Sequence, residues 1–91
     1  MNHQNIMPGD CFTDSSGNKY QAVRTIPCED YYYRNLGIPI EYKQNVLFKI
    51  NGDALGYYFV CEAGDGYKIK ATLKQQPFEI RSKKARQLML F

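Results

Sequence analysis

The clearest pattern in the chain lies between Tyr67 and Lys74. Tyr67, Ile69, Ala71 and Leu73 alternate with Lys68, Lys70, Thr72 and Lys74, which is the period of a half-buried antiparallel strand. The same period recurs upstream. Asn45–Ile50 places Val46, Phe48 and Ile50 on one face. Gly56–Glu62 sets Tyr57, Phe59 and Cys61 against Tyr58, Val60 and Glu62. Both faces of that strand are largely apolar, so it is expected at the centre of the sheet. Asn51-Gly52-Asp53 and Gly64-Asp65-Gly66 are the turns between these strands.

Nearer the start, Pro8-Gly9-Asp10 is a turn and Cys11-Phe12-Thr13 a short strand. Ser15-Ser16-Gly17-Asn18 then reverses the chain into a strand from Lys19 to Ile26. Tyr20, Ala22 and Ile26 are expected on one face of that strand and Val23 on the other. Pro27 ends it. Glu29–Leu36 reads as a short helix, with acids in its first turn, Gly37 as a cap and Pro39 forbidding continuation. A tyrosine-rich loop is the competing reading. After Pro77, residues Phe78–Arg81 resume an extended pattern. Ser82 is a candidate N-cap for a last helix running to Leu90.

Sequential strands joined by tight turns favour antiparallel pairing. The expected fold is α+β and β-dominated. It is an antiparallel sheet of about five strands, open or curled into a small barrel, with one short helix after the first hairpin and a short C-terminal helix. Residues 1–6 are expected to form a flexible tail and residues 7–91 a single domain.

Composition supports one folded unit. The chain has 91 residues, of which 44% are hydrophobic and 23% charged. A chain of this length buries roughly 60–65% of its unfolded surface, enough for one modest core. No run approaches the ~20 apolar residues of a membrane-spanning helix, and the N-terminal residues lack the basic and apolar regions of a secretory signal. The three cysteines, Cys11, Cys28 and Cys61, are widely spaced. They read as reduced thiols acting as small buried hydrophobes, which places the protein in the cytoplasm.

The residues for catalysis are scarce. His3 is the only histidine and falls in the expected tail, which leaves no Ser-His-Asp or Cys-His arrangement. One histidine and three scattered cysteines do not compose a structural zinc site. Neither phosphate-binding glycine motif occurs. The reading is non-enzymatic, with no cofactor and no metal.

Surface chemistry is more informative. Net charge is +3, unevenly spread. Residues 1–66 hold five Lys/Arg against eight Asp/Glu, a net of −3, and residues 67–91 hold seven against one, a net of +6. The candidate binding residues are therefore the row Lys68, Lys70 and Lys74 with Arg81, Lys83, Lys84 and Arg86. Such a row suits RNA or DNA phosphates or an acidic protein groove. Lysines protecting a strand edge look the same. Tyr31, Tyr32 and Tyr33 are a possible second patch, since three consecutive tyrosines cannot all face one core, and tyrosine is favoured on recognition surfaces.

The opening Met7-Pro8-Gly9-Asp10-Cys11-Phe12-Thr13-Asp14-Ser15-Ser16-Gly17-Asn18-Lys19-Tyr20-Gln21-Ala22-Val23 resembles the start of many small phage and prophage proteins, which begin P-G-D-x-F, turn at a glycine and return as an alternating strand. In size and in its lack of catalytic groups the chain is similar to anti-CRISPR and other anti-defence proteins. That resemblance implies an inhibitor binding a host protein or nucleoprotein complex, with the basic strand face blocking nucleic-acid access. A small nucleic-acid-binding or transcription-regulatory module is the alternative. A structural phage protein or protein adaptor is a third reading.

Overall fold

A computed structural model of the chain describes residues 5–82. The strands are β1 (Cys11–Asp14), β2 (Lys19–Pro27), β3 (Tyr42–Ile50), β4 (Ala54–Ala63), β5 (Gly66–Lys70) and β6 (Phe78–Ser82), with one helix, α1 (Asp30–Arg34), between β2 and β3. All neighbours pair antiparallel, and β1 pairs with both β2 and β6. The curled form of the sheet is thus the one adopted, as a closed six-stranded barrel. Closure gives every strand a partner on both sides. The C-terminal helix expected after Ser82 lies outside the described residues, as do Lys83, Lys84 and Arg86.

Inside the barrel, Phe12, Tyr20, Ala22, Val46, Phe48, Val60, Ile69 and Ile80 form one buried cluster. Their rings meet edge to face: Phe12 on Phe48 at 6.2 Å and Tyr20 on Phe48 at 5.8 Å, the geometry the ring quadrupole favours. Ile6 joins this cluster and is fully buried, although it was expected in the tail. Its backbone explains why. Gln44 is buried inside the barrel, where its side-chain amide accepts from Ile6 N and donates to Ile6 O, both at 2.9 Å. An otherwise unpaired buried amide is satisfied by one residue of chain.

Two bulges change which way side chains point. The first falls between Ala22 and Arg24. There Ala22 turns its backbone to the incoming segment, with Gly9 N on Ala22 O at 2.8 Å and Ala22 N on Asp10 O at 2.9 Å. Directly paired residues share a face. Beyond the bulge Thr25 pairs with the core residue Val46, and Ile26 pairs with Asn45 on the outside. Ile26 therefore faces outward, opposite to the alternation expected from Tyr20 and Ala22. The second bulge, between Tyr42 and Gln44, puts Tyr42 outside while Gln44 stays inside.

The strand expected to run to Lys74 ends at Lys70. Its partner β6 begins only at Phe78, opposite Ile69, so the chain must leave the ladder to come round. It does so in a turn: Gln75 N bonds Thr72 O at 3.3 Å, and the Gln75 side chain accepts from Ala71 N. Ala71 and Leu73 are exposed as a result.

The turns at one end of the barrel are tied together. Asn51 and Gly52 both have positive φ (52° and 92°), the mirror-image hairpin turn for which Asn-Gly is the preferred pair. The Asn51 side chain accepts from Lys19 N at 2.9 Å and donates to Asn18 Oδ1 at 3.0 Å. On the neighbouring turn, the Asp14 carboxylate accepts from Ser16 N, Asn18 N, Asn18 Nδ2 and the Tyr20 hydroxyl at 2.7–3.0 Å.

Candidate functional site

The structure separates the residues expected to bind. Lys68 is exposed, opposite Cys61 and Glu79 in the ladder. Lys70 is buried at 8% exposure. Its ammonium sits 5.0 Å from the centre of the Tyr42 ring and 3.5 Å from Leu73 O. Lys74 is exposed in the turn beyond β5. Arg81 is held by Asp65 and by Glu79, the latter at 3.5 Å. Lys68, Lys70, Lys74 and Arg81 therefore do not form one row.

Nor are the three tyrosines a single patch. They belong to α1, which packs on the outer wall of β3 and β4. Tyr32 lies edge-on to Phe59 at 6.2 Å, and the Tyr33 hydroxyl donates to Tyr42 O at 2.9 Å. Ile38 and Tyr42 are buried there, outside the barrel core. Tyr31 alone of the three is broadly exposed. Burial raises the pKa of the Tyr33 and Tyr42 hydroxyls above the ordinary phenol value. Tyr32, Tyr33 and Lys70 thus belong to a second small packing layer.

A different group of cations is brought together on the open outer wall of β2–β4. Gln21 pairs with Lys49, and Lys49 with Leu55. One step along, Arg24 pairs with Leu47, and Leu47 with Tyr57. Lys19 and Arg24 are the diagonal neighbours of Lys49 on either side, about 7–8 Å away in such a ladder. No described carboxylate makes an ion pair with Lys19, Arg24 or Lys49, and none is among their partners in the ladder. Elsewhere the guanidiniums are paired: Arg34 holds Asp30 at 2.9 Å.

Beside these cations lies a depression of about 200 Å³ whose lining includes Lys19, Lys49, Gln21, Cys11 and Gly52, with no acid. The Asn51 clamp fixes Lys19 at its edge. Tyr57, 41% exposed, and Leu55, 63% exposed, continue the same wall on β4. The Tyr57 ring meets no other described ring, and its hydroxyl has no described partner.

Sequence reading missed Lys19, Arg24, Lys49 and Tyr57 because segment charge averages over faces. The first three lie in the part of the chain with a net of −3. The available signal was the alternation of Lys19 and Gln21 with Tyr20 and Ala22, and of Lys49 with Phe48 and Ile50. Arg24 joins them only through the bulge.

The three thiols are free. Cys11 is exposed rather than buried as expected, since it faces outward opposite Gln21. Cys28 and Cys61 are partly covered, and burial raises both pKa values. Among the described residues no group of three or more His, Cys, Asp or Glu is placed to hold a metal, and no helix is long and apolar enough to cross a membrane. Comparison with protein-family models, with curated proteins and with solved structures finds no match for the chain.

Proposed function

We propose that this chain is a non-enzymatic binding domain that grips nucleic-acid phosphates, and that it acts as an inhibitor of a host nucleoprotein complex by occupying the path of the nucleic acid. The observation that supports the reading is the zigzag Lys19–Lys49–Arg24, three neighbouring cations without a counter-ion among the described residues. Like charges held this close repel, and an anionic backbone relieves the repulsion while releasing its own counter-ions. Lys68 and Lys74 are exposed elsewhere on the barrel and serve as peripheral contacts.

The test is fluorescence anisotropy with labelled oligonucleotides. Three phosphate contacts give an affinity that falls about 20–40-fold between ~50 and ~200 mM salt. Lys19→Glu with Lys49→Glu is expected to abolish binding, while Lys68→Glu with Lys74→Glu leaves most of it. Failure of the wild-type chain to bind any oligonucleotide at ~50 mM salt overturns the reading. Inhibition further requires that the chain compete with nucleic acid for a nucleoprotein complex. Binding to free oligonucleotide without competition selects the simple nucleic-acid-binding module instead.

A further inference from the structure

The exposed ring beside the cations says which form of nucleic acid fits, given the phosphate-binding reading above. We infer that the wall of β2–β4 binds a single strand, with phosphates on Lys19, Lys49 and Arg24 and a base stacked on Tyr57.

The inference starts from the row Arg24–Leu47–Tyr57, which crosses three strands. Over two strand spacings, roughly 10 Å, the wall changes from a cation to an aliphatic side chain to an aromatic ring. A nucleotide has the same gradient, from phosphate through sugar to base. In a duplex the base faces are stacked on one another and only phosphates and groove edges meet a protein, so Tyr57, Leu47 and Leu55 would lie uncovered. In a single strand the base faces are free, and every base has a π-face to offer.

The two sides of the wall are matched in what they lack. Among the described residues Tyr57 has neither a ring nor a hydrogen-bond partner, and the cations have no carboxylate in an ion pair. An acidic peptide would satisfy the cations alone. A strand of nucleotides satisfies both at once. Stacking on tyrosine carries no hydrogen-bond code, so the expected sequence preference is weak.

The experiment compares a labelled pyrimidine single strand with a hairpin duplex of equal length at the same salt. The single strand is expected to bind at least about tenfold more tightly. Tyr57→Ala should lose about tenfold on the single strand and nothing on the duplex, with the salt slope unchanged. Tyr57→Phe should retain binding. Thermal denaturation of each variant confirms that the barrel is intact. Cys11, which lines the adjoining depression, provides a readout on the unaltered chain, because its alkylation should slow when the single strand is bound. Equal affinity for the two forms with an indifferent Tyr57→Ala overturns this inference and leaves the phosphate reading standing. Displacement of the single strand by polyglutamate as readily as by unlabelled single strand overturns it as well. Absence of binding to both forms overturns the phosphate reading itself.

Discussion

The outer wall of this barrel has two halves with opposite fates. Over β3–β5 it is covered: Tyr32 of α1 lies on Phe59, Ile38 is buried, and Tyr42 is at 5% exposure with Lys70 against its ring. Over β2–β4 it is open, with Lys19, Lys49, Arg24 and Tyr57 exposed and without a partner among the described residues. Both halves carry lysine and tyrosine on the same kind of strand. What differs is whether another layer of chain has claimed them. A lysine in the covered half packs by its methylene stem, and a lysine in the open half presents its charge. Residue type on a strand face therefore does not by itself distinguish a packing group from a binding group.

The largest expected difference between the halves is in stability. Tyr42→Ala removes a nearly buried ring and leaves a void beside Lys70, at a cost of about 3–4 kcal/mol. Tyr57→Ala removes an exposed ring from the open half and should stay within about 0.5 kcal/mol of wild type. Urea titration at constant m separates the two. Equal costs would mean that the open wall is also a packed surface, and the comparison would collapse.

Lys70 gives the next contrast. Lys70→Met keeps the stem and removes the ammonium, so it should cost under about 1 kcal/mol, because the swap nearly conserves volume and the ring–cation term is modest. Lys70→Ala loses the packed stem too and should cost about 1–2 kcal/mol. Neither change should alter oligonucleotide affinity. A loss of affinity in Lys70→Met with unchanged stability would return Lys70 to the binding surface.

Much of the barrel was legible in the sequence. The alternations at Val46–Phe48–Ile50 and Tyr67–Ile69 identify core faces, and Asn51-Gly52 announces its turn. The misplacements have a common cause. Ile26 and Arg24 lie beyond the bulge at Ala22–Arg24, and a single extra residue reverses every side chain beyond it; a second bulge at Tyr42–Gln44 sets Tyr42 outside. Those bulges answer to hydrogen bonds from remote or neighbouring segments, such as Gly9 N to Ala22 O and Cys28 N to Lys43 O. No local pattern records them. Lys70 departs from expectation for another reason: its position on the outer face is the expected one, and it is buried there against the Tyr42 ring and Leu73 O, contacts with no period in either segment. The candidate site was hidden by both effects. It is assembled from three strands, and one of its cations depends on a bulge.

The turn that positions the open wall has its own pH dependence. Burial pushes the Asp14 carboxyl upward, but four hydrogen bonds, from the Asn18 amide, the Tyr20 hydroxyl and the Asn18 and Ser16 backbones, outweigh it and leave the pKa below the ordinary value. A carboxyl whose folded pKa is depressed contributes its full stability above the unfolded pKa, about 3.9, and loses it as pH falls through the folded value. Acid unfolding should therefore be steeper in the wild type than in Asp14→Asn, which accepts at one oxygen only and does not titrate. The two proteins should differ most above the ordinary carboxyl range and converge as pH falls below the depressed folded value. The effect is small because the turn is solvent-exposed, yet it is specific. Asp14 holds Asn18, Asn18 holds Asn51, and Asn51 holds the backbone of Lys19. Asp14→Asn should consequently loosen oligonucleotide binding at neutral pH by a few-fold, about 0.5–1 kcal/mol, and leave the Tyr42–Lys70 half untouched, as judged by amide hydrogen exchange in β5. Equal loss of protection in β5 would show that the two halves of the wall are mechanically one.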